Sequence, residues 1–175
     1  MPKKMNAWKI LKEEEYILAW DDFDLKFDFH PSTRKKDWPG IKEPNPSLTF
    51  RISHIFGKEK EHYKSLNDNL MDIFLQAFKS LLPKYGWIFA LNWQHECYKF
   101  YPHFPFELNK YGEWTVPILP NGDYYIFFEK NLNFGVFGHP WEGTMCIFGK
   151  ELITNIEQNT PSIFTEKIRV NGKTI

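Results

Sequence analysis

Cysteine is almost absent: Cys97 and Cys146 are the only two in 175 residues. Two thiols cannot supply the dense cross-links of a small secreted scaffold, and their scarcity points to a reducing, cytoplasmic setting. No apolar run is long enough for a membrane helix, and the opening Met-Pro-Lys-Lys leads into no hydrophobic export segment, so neither membrane nor secretion is expected. Net charge is missing too. The 22 basic and 22 acidic residues cancel, leaving no overall field to draw in nucleic acid or an anionic surface. There is no internal repeat, no low-complexity tract, no Cys-x-x-Cys or His-Glu-x-x-His pair, and no nucleophile elbow around a serine or cysteine.

What the chain has in quantity is aromatic rings: 17 Phe, 8 Tyr and 7 Trp. Each carries a large apolar area, so most are expected inside one domain spanning residues 1–175, a length able to bury roughly 70% of the surface its unfolded chain exposes.

Periodicity places the elements. Tyr16, Ile17 and Trp20 recur at helical steps within Lys12–Phe23, with Glu13, Glu14 and Glu15 near the positive end of the dipole. Leu25–Phe29 alternates as a half-buried strand would. Residues 30–46 hold Pro31, Pro39, Pro44 and Pro46 with a basic Arg34-Lys35-Lys36 and no period, which reads as a surface loop. In Ser47–His54, Leu48, Phe50, Ile52 and His54 alternate with Thr49, Arg51 and Ser53, a strand with one solvated side. A charged connector, Lys58–Lys64, precedes the strongest helical stripe, Leu66, Leu70, Ile73, Phe74, Ala77, Phe78 and Leu81, capped by Ser65 or Asn67 and ended by Pro83 and Gly86. Strands are expected at Trp87–Trp93, Tyr98–Tyr101, Glu113–Leu119, Asp123–Phe128, Phe134–Phe137, Thr144–Phe148 and within Ser162–Val170, and Asn121-Gly122 should join two of them as a hairpin. A weak helical turn opens the tail at Glu151. The order gives an α+β fold: a mostly antiparallel sheet of about six to eight strands with two principal helices packed on one face.

Three stretches carry side chains with chemistry. Gly138-His139-Pro140-Trp141-Glu142 joins an imidazole, a rigid bend and a carboxylate, the composition of a proton-transfer site or polar pocket. The alternative is structural: glycines allow a tight turn, Trp141 plugs the core and His139 bonds a backbone carbonyl. In Trp93-Gln94-His95-Glu96-Cys97, an extended chain would put Trp93, His95 and Cys97 on one face and Gln94 and Glu96 on the other. Their spacing with His103, His139 and Cys146 does not make a metal site, and no metal or cofactor is expected. Asp21, Asp22 and Asp24, with Asp28 beyond, form an acidic group fit to face a partner.

The blocks Ala90-Leu91-Asn92-Trp93-Gln94-His95-Glu96-Cys97-Tyr98, Pro120-Asn121-Gly122-Asp123-Tyr124-Tyr125 and Phe137-Gly138-His139-Pro140-Trp141-Glu142 together resemble a bacterial family catalogued as domain of unknown function 2716. The resemblance runs through most of the chain and implies a small stand-alone bacterial cytoplasmic domain. It brings no established activity. An Asp is expected in that family where this chain has Asn92, so a carboxylate role there would be lost here.

Three functional readings follow. The first is a non-enzymatic binding protein, for example an immunity protein that blocks a bacterial toxin, using Trp93, Gln94, His95, Asp123, His139, Trp141 and Glu142 as its surface. The second is a small-molecule or sugar-binding domain that exposes some of Trp38, Trp87, Trp93, Trp114 and Trp141 for stacking. The third is a hydrolase-like or transferase-like enzyme in which His139 is the base, Glu142 or Asp123 orients it, and Gln94 or His95 polarises the substrate. That last reading requires His139 to lie beside a cleft.

Overall fold

The computed structural model of the chain describes residues 4–175. The described residues form a nine-stranded sheet in which every pairing is antiparallel. In chain order the elements are β1 (Trp8–Ile10), α1 (Glu13–Phe27), β2 (Ser47–Arg51), α2 (Lys60–Leu81), β3 (Ile88–Asn92), β4 (Tyr98–Phe100), β5 (Tyr125–Phe128), β6 (Gly135–His139), β7 (Thr144–Phe148), α3 (Lys150–Gln158), β8 (Glu166–Val170) and β9 (Lys173–Thr174). The strands lie in the order β1-β4-β3-β5-β6-β7-β2-β8-β9. The architecture is α+β as the pattern predicts, with the sheet slightly wider than expected. No described helix is long and apolar enough to cross a membrane.

Two apolar layers sandwich the sheet. On one side α2 and α3 pack through Leu70, Phe74, Phe78, Leu152 and Ile156 against Phe50, Ile88, Phe127, Val136 and Ile147. On the other, Ala19, Phe23 and Phe27 of α1 pack against Ile126, Phe128, Phe137, Cys146 and Phe148. The two principal helices expected on one face, α1 and α2, thus lie on opposite faces, and α3 joins α2. The added rings make this possible: Phe137 and Phe148 point opposite to Val136 and Ile147, so both faces of the central strands are apolar.

Local differences from the sequence pattern have physical causes. Leu25–Phe29 does not form a strand, because Phe23 and Phe27 sit four apart on one helical face and are fully buried, while Leu25 is 89% exposed. Burial of two phenylalanines outweighs a short alternation. Leu25→Ala is accordingly expected to shift stability by less than about 0.5 kcal/mol in urea unfolding; a core-sized loss would restore the strand reading. Helix α2 begins at Lys60 behind Glu59, so the charged connector supplies its first turns and Asn67 is buried within it rather than capping it. Strand β2 stops at Arg51 and a 3-10 turn, Ser53–Gly57, follows; Thr49, expected on a solvated face, is fully buried. Glu113–Leu119 is not a strand either. Both edges of β5 are taken by β3 and β6, and the irregular segment instead buries Trp114, Val116, Ile118 and Leu119 beside α2.

Candidate functional site

The candidate residues converge because of strand register. Asn92 on β3 lies opposite Tyr125 on β5, Tyr125 opposite Gly138 on β6, and His139 opposite Thr144 on β7. The turns after β3, before β5 and after β6 therefore meet at one end of the sheet.

Tyr124 is the centre of that end. Its ring is buried, and around it stand His139 at 4.9 Å, Phe29 at 5.2 Å, Trp141 at 5.3 Å and Trp93 at 5.6 Å between centroids. Its hydroxyl donates to the Ser32 carbonyl and accepts from the Ser32 amide, tying the loop before β2 to the same end. Trp141 is 44% exposed, so it does not plug the core. Of the other tryptophans proposed for stacking, Trp114 is fully inside, while Trp38, Trp87 and Trp93 are half-buried.

The turn after β3 is not extended. Gln94 has a positive φ of 63° and the His95 amide donates back to the Asn92 carbonyl, so the chain reverses and the expected two-faced arrangement is lost. Three side chains fan out in consequence. Trp93 covers Tyr124, Gln94 turns toward α1, and His95 reaches Asp123 at 3.7 Å. Asp123 also accepts the Tyr124 amide, while burial raises its pKa above the usual carboxylate value. Cys97 is buried behind the turn, its thiol pushed up to about 11 by burial.

Two depressions flank this turn. One, of about 380 Å3, is bounded by Tyr16, Ile17, Trp20, Asp21 and Asp24 of α1 and by Phe29, Pro31, Trp93 and Gln94. The other, about 430 Å3 and more polar, holds Asn92, His95, Glu96, Gly122, Asp123 and Tyr125. Asn92 contributes an amide oxygen that is buried with no hydrogen-bond partner.

His139 and Glu142 are neighbours with different tasks. His139 is fully buried under Trp38 and Tyr124, and it lines neither depression. Its Nδ1 accepts the Glu142 backbone amide at 3.0 Å rather than bonding a carbonyl, which places the proton of the neutral ring on Nε2. Nε2 has no hydrogen-bond partner. Burial pushes the imidazole down to about 4, and the Arg169 charge adds to that against the attraction of Glu142.

The Glu142 carboxylate is held in a group that local sequence reading misses. Arg169 of β8 donates to it through both terminal nitrogens at 2.7 and 2.9 Å, and Thr144 donates at 2.7 Å. Through Nε the same guanidinium grips Glu43, which also accepts the Thr49 hydroxyl at 2.6 Å. Burial opposes ionisation of Glu142, but these hydrogen bonds and the Arg169 charge outweigh it and hold its pKa below the usual value. The residues 30–46 thus send Glu43 and Ile41 into the interior, while Lys35 and Lys36 stay exposed. Gly143, at φ 68°, closes the turn where an added Cβ would lie 2.7 Å from that of Ser53.

Chemically, the end of the sheet separates into an inner and an outer part. The inner part is a saturated charge network with a neutral histidine behind it. The outer part offers aromatic faces, exposed amides and carboxylates, with Trp93, Gln94, His95, Asp123 and Trp141 brought together and His139 and Glu142 turned inward. Among the described residues no three His, Cys, Asp or Glu side chains gather as metal ligands would.

A family model described as "Protein of unknown function (DUF2716)" matches residues 10–153. A Bacillus subtilis (strain 168) protein, printed as "Uncharacterized protein YxiI", is 32% identical over 165 residues, which cover 93% of this chain and 100% of the relative. No solved structure matches the chain.

Proposed function

We propose that this chain, which belongs to the DUF2716 family, is a non-enzymatic cytoplasmic binding protein that engages a protein partner through the Tyr124 end of its sheet, as an immunity protein engages a toxin. One observation carries the reading: half-buried Trp93 and Trp141, which is 44% exposed, both pack on the buried Tyr124 ring, with depressions on both sides of the Trp93 turn. Rigid, half-exposed tryptophans over a buried support are the anchors that dominate protein interfaces. Helix α1 borders the first of these depressions with Ile17, which is 50% exposed, and carries Leu18 and Leu25, 62% and 89% exposed, elsewhere on its solvent side. That breadth suits a protein better than a metabolite. The inward commitment of His139 and Glu142 takes that base and its carboxylate out of reach of a substrate, which weighs against an enzyme built on His139.

Affinity capture tests the proposal. The chain, used as bait in lysate of the organism that encodes it, should retain one protein stoichiometrically. The Trp93→Ala and Trp141→Ala double variant should lose at least about tenfold in affinity for that protein while still melting in a single cooperative transition. Retention of no stoichiometric partner by the unaltered chain, or equal retention by the variant, overturns it.

A further inference from the structure

We propose that the depression between α1 and the Trp93 turn is the receptor for a guanidinium group, an arginine side chain presented by the partner protein. The inference rests on the binding reading above and names what this part of the surface takes. Tyr16, Trp20 and Asp24 stand at successive four-residue steps of α1, and Asp21 sits three before Asp24, so one helical face aligns two aromatic rings with two carboxylates. Phe29 and Trp93 supply further aromatic walls, with Phe29 stacked on Trp20 at 5.8 Å, and Gln94 adds an amide at the rim.

The charge in this depression is one-sided. Among the described residues no Lys or Arg lies within ion-pair distance of Asp21 or Asp24, although the charged side chains of Glu15, Arg34, Asp37 and Arg51 all find partners. Asp24 is pushed above its usual pKa by burial, with the Asp21 and Asp28 charges adding to it. A cation seated between the two carboxylates would relieve that repulsion. A quaternary ammonium would use the rings but leave the carboxylates without donors, and a lysine ammonium is a strongly hydrated point charge. A guanidinium lies flat against aromatic faces while its fork of N–H groups reaches both carboxylates.

The test uses the whole chain and capped single amino acids. Quenching of tryptophan fluorescence is followed on addition of N-acetyl-arginine methylamide, of the citrulline analogue, which has the same shape without the charge, and of the lysine analogue. Arginine should bind at least about tenfold more tightly than citrulline and more tightly than lysine, and Asp24→Asn should remove that preference while the variant still melts cooperatively. Equal binding of arginine and citrulline, or no response to arginine at about 10 mM, overturns the assignment. The broader reading is scored separately. A partner captured through Trp141 but indifferent to Asp24→Asn would leave the binding protein standing and remove only the guanidinium site.

Discussion

Arg169→Leu is expected to destabilise the protein by about 3–5 kcal/mol, because it strands two buried carboxylates without a counter-charge. The side chains of Glu43 and Glu142 are 1% and 9% exposed, and Arg169 is the cation that hydrogen-bonds to both. Leucine keeps much of the bulk and none of the charge. The melting temperature should fall by about 10 °C, on the scale of roughly 2–4 °C per kcal/mol for a chain of this size. Arg51→Leu provides the contrast, since Arg51 and its partner Glu166 are 41% and 57% exposed. That pair should be worth less than about 1 kcal/mol. Adding Glu142→Gln to Arg169→Leu should recover part of the loss by removing one stranded charge. Urea unfolding of the variants decides it, and an Arg169→Leu protein as stable as the Arg51→Leu protein would mean that the network does not hold this end of the sheet together.

The network also marks where reading the sequence stops. Helix α2 and strands β6 and β7 are visible in the chain because their signals are local: the Leu70–Phe74–Phe78 stripe, and the runs Gly135–His139 and Thr144–Phe148 between turn residues. Leu25–Phe29 misleads because Leu-Lys-Phe-Asp-Phe satisfies a period of two while Phe23 and Phe27 satisfy the helix, and only α1's seat on Phe128, Phe137 and Phe148 decides between them. The aromatic hub was half legible. Trp93, His95, Asp123 and Trp141 stand out in composition, but the positive φ at Gln94 that fans them apart does not. Glu43 and Arg169 have no local signature at all, for they are separated by 126 positions and meet only because β8 pairs with β2. In the sequence Arg169 follows Lys167 like any alternating solvent-facing charge.

His139 should make the fold acid-sensitive from about pH 6.5 downward, starting above the usual carboxylate range. Its ring is fully buried and pushed from 6.5 down to about 4, so between those values the unfolded chain takes up a proton that the folded chain refuses. Stability from this residue is therefore complete above about pH 6.5 and drains away as pH falls toward 4, by about 3 kcal/mol over the window. Glu142 acts in the same direction but lower: held below 4.5 in the fold, it contributes stability that is present above its unfolded value and lost as pH falls through its folded one. The two are separable by substitution. In His139→Asn the amide oxygen can still accept the Glu142 backbone N–H in place of Nδ1, so the turn keeps its hydrogen bond while the titrating ring is gone. The variant loses packing at neutral pH, and the diagnostic is the slope rather than the level. Urea midpoints measured from pH 7 to pH 5 should fall steeply for the unaltered protein and stay nearly flat for His139→Asn. Parallel slopes would show that the buried imidazole is not what makes the fold sensitive to acid, and would reopen a solvent-accessible role for His139 at this end of the sheet.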